Sequence, residues 1–414
     1  MEEWKEYKLG DLYDVHNGLS KGGKFFGSGY PFLSFKTVFN NYFLPAILPD
    51  LVQSNEKEQK GYDIKRGDVF VTRTSETPEE LGMSSVALKD YPSATYNGFT
   101  KRLRPKNTSL VYPEFIGYYL RSSKFRALFY GLASSMSTRA SLANGDLLGM
   151  RVFLPSYDTQ ERIANILKSL DDKIEVNKRI NDNLEQQAQT LFKSWFVDFE
   201  PFRDQPFVES ELGMIPEGWK VGSFLDNIYV MPGGTPSTNV DEYWKDGTIP
   251  FFSPKDVNGV YCFETEKNIT ELGLNNCSSR LYPKDTLFIT ARGTVGKIAL
   301  AGVPMAMNQS NYALAAKEGV GKFYLYLLTQ TLVSTLLKKA NGAVFSAITT
   351  KDFNEPNLIP ANNVMDSFEV TVKPFFDKIF QTSEESRRLA SLRDTLLPRL
   401  MSGELKVNEI DNAI

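Results

Sequence analysis

The chain has 414 residues, 42% of them hydrophobic and 23% charged, which suits two or three folded domains and excludes a disordered chain. Forty-seven Lys and Arg against 50 Asp and Glu leave a net charge of −3, which is neutral evidence on a polyanionic partner because a basic stripe can sit opposite acidic faces. Only two cysteines, Cys262 and Cys277, and one histidine, His16, are present, so a disulfide framework is excluded and zinc is poorly supplied with ligands. The opening MEEWKEYKLGDL lacks a secretion-signal pattern and no run of 18 apolar residues occurs, so a cytoplasmic chain without a membrane span is expected.

Residues 1–155 read as a β-rich domain, with short runs of strand formers broken by Gly, Pro and Asn and a few helices between them. Pro155 closes it. From Asp158 to about Phe199 there is neither proline nor glycine, and apolar residues recur at Ile163, Leu167, Leu170, Ile174, Leu184, Leu191 and Trp195. That three–four spacing predicts a long helix over 156–200 with a narrow coiled-coil seam, whose middle is polar at Asn177 and Asn181. A second β-rich domain, 201–360, ends at Pro360. A second long helix follows over 361–414, with a seam of Val372, Phe375, Ile379, Thr382, Ser386, Leu389, Leu396 and Leu400.

The two halves are copies. YPFLSFKTV (30–38) returns as IPFFSPKDV (249–257), DVFVTRTS (68–75) as DTLFITARGT (285–294), and EFIGYYL (114–120) as KFYLYLL (322–328). Leu154-Pro155 returns as Ile359-Pro360, and the helical stretches then keep one register without a gap. The expected class is α+β: two similar β-rich mixed domains joined by two long antiparallel helices in a pseudo-twofold repeat. A helix of about 40 residues spans roughly 60 Å, and each narrow rod needs the other as its partner. At the end of the first rod Leu191, Phe192, Trp195, Phe196 and Phe199 supply more large apolar groups than one seam uses. They are either domain core or a docking surface for another subunit.

Routes to catalysis are thin. His16 is the only histidine, so a Ser-His-Asp or Cys-His arrangement is limited to that one position, where no motif supports it. ARGTVGKI (291–298) resembles a phosphate loop, but Ala291 and Ile298 break the pattern. No dinucleotide fingerprint, amino-methylation signature or two-metal acid cluster is found; NEPN (354–357) is a poor echo of the second.

Binding features are better. At expected strand ends the first copy carries Lys21, Lys36, Thr37, Arg73, Thr74, Asn97, Lys101 and Arg139. The second carries Thr235, Ser237, Lys255, Arg292, Thr294, Gln309 and Asn311. Arg and Lys suit guanine edges or phosphates, and Asn or Gln suits adenine, so these are candidate DNA contacts.

With these features in place, the chain resembles the specificity (S) subunits of type I restriction–modification systems over essentially its whole length. The marks are DTQERIANILKSLDDKIEVN, LFKSWFVDFEPF, LGMIPEGWK, SPKD, ARGTVG and the C-terminal LRDTLLPRLMSGEL, in that order. The resemblance implies two target recognition domains, each reading half of a split double-stranded DNA target, mostly through the major groove. The paired helices would set the gap between the half-sites. It further implies two docked methyltransferase (M) subunits that bring S-adenosylmethionine, restriction (R) subunits that add ATP-driven translocation and cleavage, and no cofactor on the S subunit. ARGTVG is intact only in the second half, so the DNA role carries over more firmly to Arg292 and Thr294 than to Arg73 and Thr74. Two other readings stay open: a DNA methyltransferase or nuclease with an unrecognised active site, and a purely structural coiled-coil adaptor.

Overall fold

The computed structural model describes residues 4–75, 80–134, 140–339 and 347–407. It divides into two compact units, residues 1–173 with 389–414 and residues 174–388. In the first unit β1 (Lys5–Lys8) leads through α1 (Leu9–Leu12) to β2 (Tyr13–Asn17), β3 (Phe26–Leu33), α2 (Phe35–Asn40), β4 (Asp50–Val52) and α3 (Glu56–Gly61). Strands β5 (Val69–Thr72), β6 (Thr74–Ser75), β7 (Ser84–Val86), β8 (Thr95–Tyr96) and β9 (Thr100–Pro105) follow. Helices α4 (Pro113–Tyr119) and α5 (Ser123–Ser134), then β10 (Ala140–Ser141), α6 (Asn144–Gly149) and β11 (Arg151–Leu154), lead into the long α7 (Tyr157–Phe196).

The second unit opens on the hairpin β12 (Phe207–Ser210) and β13 (Gly213–Pro216). It continues through β14 (Lys220–Ser223), β15 (Ile228–Pro232), β16 (Ile249–Phe252), β17 (Tyr261–Cys262), β18 (Asn268–Ile269) and α8 (Glu271–Asn275). Then come β19 (Leu287–Thr290), β20 (Ile298–Ala301), β21 (Ala306–Met307), β22 (Asn311–Ala316), α9 (Lys322–Lys339), β23 (Pro356–Ile359) and the long α10 (Asn362–Met401).

Three sheets of the first unit recur in the second in the same strand order. The first unit has an antiparallel sheet in the order β2-β9-β5-β7, a sheet β4-β3-β8 and a pair β1-β11. The second has β15-β22-β19-β20 with β17 added at one edge, then β18-β16-β21 and β14-β23. Register agrees as well: Phe32 and Leu33 lie opposite Thr95 and Tyr96, as Phe251 and Phe252 lie opposite Ala306 and Met307. The inner strands β5 (VFVT) and β19 (LFIT) are buried at every residue, as strands covered on both faces must be. One face of the first sheet packs Val69, Val71 and Leu103 against α4, α5 and α6. The other packs Phe70 against Leu33, Tyr91 and Tyr96.

Within each unit the two long helices run antiparallel. In the second, Asn177 is fully buried and donates to Glu385 Oε2 at 2.8 Å and Ser386 Oγ at 3.3 Å, and Asn181 donates to Ser383 Oγ at 3.0 Å. Nearer the end of α7, Phe192 meets Phe368 at 6.1 Å. In the first unit Asp171 on α7 pairs with Arg393 on α10 at 2.6 Å. The polar middle of the seam is thus a hydrogen-bonded amide–hydroxyl zone, which penalises misregister because a shifted amide would lose its partners. The seam of α10 departs from the expected positions by one residue: Phe376 and Leu397 are buried where Phe375 and Leu396 are only half-buried.

Each sheet domain is tied to α7 by a tyrosine. Tyr118 on α4 donates to Asp171 Oδ2 at 2.6 Å, and its repeat counterpart Tyr326 on α9 donates to Glu185 Oε1 at 2.7 Å. At the repeat position of Asp171, α10 carries Phe376, whose ring meets Tyr326 at 5.5 Å.

Candidate nucleic-acid interface

The loop after the central strand has the same lock in both units. Thr72 Oγ1 accepts from Met83 N at 2.8 Å and donates to the Glu80 carbonyl; Thr290 Oγ1 accepts from Lys297 N at 2.9 Å and donates to the Thr294 carbonyl. Gly82 (φ +67) and Gly296 (φ +83) close the two loops in the left-handed region. A Cβ there would also stand 2.2 Å from the Phe129 ring or 2.7 Å from Val333, so glycine is required twice over. ARGTVG therefore forms a strand-to-strand turn between β19 and β20. No helix N-terminus follows it, which is the physical reason it is not a phosphate loop.

Register corrects the pairing of the two arginines. Thr72 lies opposite Thr100 and Thr290 opposite Asn311, so the next residues, Arg73 and Ala291, are the equivalent ones. Arg73 N bonds the Phe99 carbonyl at 2.8 Å as Ala291 N bonds the Ser310 carbonyl at 2.8 Å. Arg292 thus matches Thr74, and with period-two alternation Arg73 and Arg292 point to opposite faces.

In the first unit Asn17, Lys101 and Val71 are aligned across β2, β9 and β5, and Arg73 lies two residues beyond Val71 on the same face. Lys101 is 3% exposed, with Nζ donating to Asn144 Oδ1 on α6 and to Asn17 Oδ1 at 3.4 Å. Burial, and then the nearby Arg73 guanidinium, push the Lys101 ammonium below its ordinary range. Among the described residues neither Lys101 nor Arg73 forms an ion pair. On the other face of β9, by contrast, Arg102 is paired with Asp63 at 2.7 Å and Arg104 with Asp68 at 2.7 Å. Lys101 is thus held inside by amide oxygens, and Arg73, half-buried at the end of the sheet without an ion pair among the described residues, is the one of the two suited to meet an anion.

Other predicted contacts fare unequally. Lys36 is exposed, but Thr37 is buried in the first turn of α2, its amide donating at 3.3 Å to Oγ of the capping Ser34; burial corrects the expectation that Thr37 contacts DNA. Lys21 is held by Glu58 at 2.8 Å. Asn97 is half-buried and shapes its own turn by accepting from Phe99 N at 2.7 Å, and Thr74 is half-buried. Arg139 lies outside the described residues. In the second unit Arg292, Thr294, Ser237 and Gln309 are exposed, and Thr235 Oγ1 bonds Gln309 Oε1. Arg292 N also reaches the Ser310 carbonyl at 3.2 Å, so Thr235, Gln309 and Arg292 share one rim. Lys255 is exposed but paired with Glu266 at 3.2 Å. Asn311 is 1% exposed, with Nδ2 on Asn308 Oδ1 at 2.7 Å; its burial inside the sheet corrects the expectation of a base contact.

The aromatic cluster of α7 is largely core. Phe192 and Phe196 are each 5% exposed, and Phe196 meets Phe368 at 4.8 Å, Tyr324 at 4.9 Å and Trp219 at 5.8 Å. A docking surface built on those two rings is thereby corrected, since the second unit has already buried them. Leu191, Trp195 and Phe199 are half-buried against the same cluster. The missed residues are Phe99, Asn17 and Asn144: the first sits in an NGFT turn, the other two in segments without a charge signal. Among the described residues no group of three His, Cys, Asp or Glu is placed to hold a metal, and no helix is long and apolar enough to cross a membrane.

The comparisons agree with this architecture. A family model described as the type I restriction modification DNA specificity domain matches residues 1–186 and 216–359. The chain is 28% identical to the HindI type I restriction enzyme specificity subunit of Haemophilus influenzae, over 98% of this chain and all of that one. It is also 28% identical to the MjaIX specificity subunit of Methanocaldococcus jannaschii, over 99% and 95% of the two chains. A crystal structure of a type I restriction–modification S subunit from M. genitalium shares the fold, with a TM-score of 0.53, 16% identity and 96% of each chain covered. Two matched domains and the matching strand order in both units leave one conclusion: the chain belongs to the type I restriction–modification DNA specificity family, as a specificity subunit with two target recognition domains.

Proposed function

We propose that this chain is the non-catalytic, sequence-reading component of a cytoplasmic type I restriction–modification complex and carries no cofactor of its own. Residues 1–155 and 201–360 each read one half of a bipartite duplex target, and the helices of 156–200 and 361–414 set the spacer. Two methyltransferase subunits dock on the chain and restriction subunits join through the complex. The observation that carries this reading is that two copies of one sheet frame present different rims. Where the first unit has Arg73 and Lys101, the second has Ala291 and Tyr312, and it offers Arg292, Thr235 and Gln309 instead. Equal frames with unequal rims suit an asymmetric target. Docking would fall to the outer strip of α7, where Gln189, Lys193 and Val197 are exposed beside half-buried Leu191, Trp195 and Phe199.

Two measurements test it. The purified chain, given labelled S-adenosylmethionine and duplex DNA, is expected to transfer no methyl group until methyltransferase subunits are added; transfer by the chain alone would establish the enzyme reading instead. Arg292→Ala in the assembled complex should weaken binding by about 1–3 kcal/mol if Arg292 meets a guanine edge, with discrimination lost at one half-site only. Unchanged affinity and an unchanged modified motif would remove Arg292 from the interface.

A further inference from the structure

Phe99 is 61% exposed, on a turn at the sheet rim whose backbone is fully committed. Its carbonyl accepts from Arg73 N at 2.8 Å and its amide donates to Asn97 Oδ1 at 2.7 Å. Around it Gly98 N bonds the Leu19 carbonyl at 2.8 Å, and Thr100 Oγ1 and N bond the Asn97 carbonyl at 2.7 and 2.9 Å. The turn is therefore fixed.

Phe99 lies in the turn that leads into β9, and the bond from Arg73 N to its carbonyl at 2.8 Å places it beside Arg73 at the end of the sheet. An exposed ring beside an arginine that forms no ion pair among the described residues matches a partner that is anionic along its backbone and apolar at points on its edge. Duplex DNA has that pattern, since thymine presents a C5 methyl group in the major groove between the phosphate rails. The second unit carries Ala291, Ser310 and Tyr312 at the positions of Arg73, Phe99 and Lys101. The fold itself therefore does not call for the trio.

We infer that Phe99 is a specificity-determining residue of the first recognition domain, its ring contacting a thymine methyl group while Arg73 holds the adjoining phosphate. The inference rests on the DNA-reading function proposed above and goes beyond it by assigning an apolar reader and the base class it reads.

The test uses the full chain assembled with its methyltransferase subunits and the duplex defined by the modified motif of the cells that carry the system. Each thymine of the two half-sites is replaced singly by uracil, which removes the methyl group alone. Wild type is expected to lose about tenfold in affinity at one thymine of one half-site. Phe99→Ala should bind the unmodified duplex about tenfold more weakly and be indifferent to uracil at that same thymine, while Phe99→Leu retains part of the sensitivity. Because Phe99 is exposed, folding of the variants is checked by an unchanged melting temperature. If Phe99→Ala keeps the wild-type response to every uracil, if it weakens all duplexes equally, or if the target half-sites contain no thymine, the assignment is overturned. A wild-type complex that prefers no duplex would overturn the DNA-reading function itself, a result distinct from a failure of Phe99 alone.

Discussion

Phe196→Ala is expected to destabilise the second unit by about 3–5 kcal/mol, the range for removing a large buried aromatic ring from a core that cannot collapse around the void. The ring is surrounded by Phe192, Trp195, Trp219, Tyr324 and Phe368, all with centroids within 6.3 Å, so the cavity would be lined by rigid neighbours. The lost packing joins α7, α9 and α10, and the melting of this unit should shift down by many degrees, with the first unit's transition left in place. Val197→Ala, one residue further on and half exposed, serves as the control and should change stability by less than about 0.5 kcal/mol. Retained stability of Phe196→Ala together with lost methyltransferase binding would restore the ring to a docking surface and contradict its burial.

Arg121→Met should cost the first unit roughly 3–5 kcal/mol, because it removes a set of charge-assisted donors and leaves buried acceptors without partners. Arg121 Nε donates to the Ser84 carbonyl at 2.6 Å, and its terminal nitrogen donates to the carbonyls of Val38, Phe39 and Asn41 at 2.7, 2.9 and 2.9 Å. Those last three close the C-terminal end of α2, whose final carbonyls have no partner within so short a helix. Burial pushes the guanidinium down to about 10, and the Tyr42 ring lies 4.9 Å from its centre. Methionine matches the side-chain length but donates nothing. Lysine keeps the charge but cannot span four carbonyls, so Arg121→Lys should fall between the two. Chemical denaturation followed by a probe in the first unit measures the effect, and equal midpoints for wild type and Arg121→Met would refute it.

How far the sequence was readable follows from what each signal depends on. The long helices were legible because their pattern is local: absence of Gly and Pro and a three–four spacing are read without knowing any partner. Asn177 and Asn181 stood out for the same reason, and they do meet Thr382, Ser383 and Ser386. The slip from Phe375 to Phe376 arose where two adjacent aromatics offer equally good local matches and only tertiary packing chooses. The rims were harder. Thr37 and Asn311 have the chemistry of DNA contacts, yet each is buried and bonded to a residue three positions earlier, Ser34 and Asn308, and burial is set by packing that spacing along the chain does not show. The equivalence of Arg73 and Arg292 failed by one residue because the motif was aligned on side-chain identity, while strand register is set by the ladder. Phe99 carried no signal, since a lone phenylalanine in a polar turn ordinarily points inward.

The two tyrosine ties bear on how such a chain could be rebuilt. Tyr118 and Tyr326 belong to the two sheet domains, yet both acceptors, Asp171 and Glu185, sit on α7. The central helix thus works as a socket strip, and each sheet domain brings its own plug. A chimera that exchanges residues 1–155 or 201–360 must deliver a tyrosine at the matching place together with the apolar surface that α7 already packs against, with α7 left untouched. Exchanging α7 as well would discard both sockets at once and require the retained domain to be refitted.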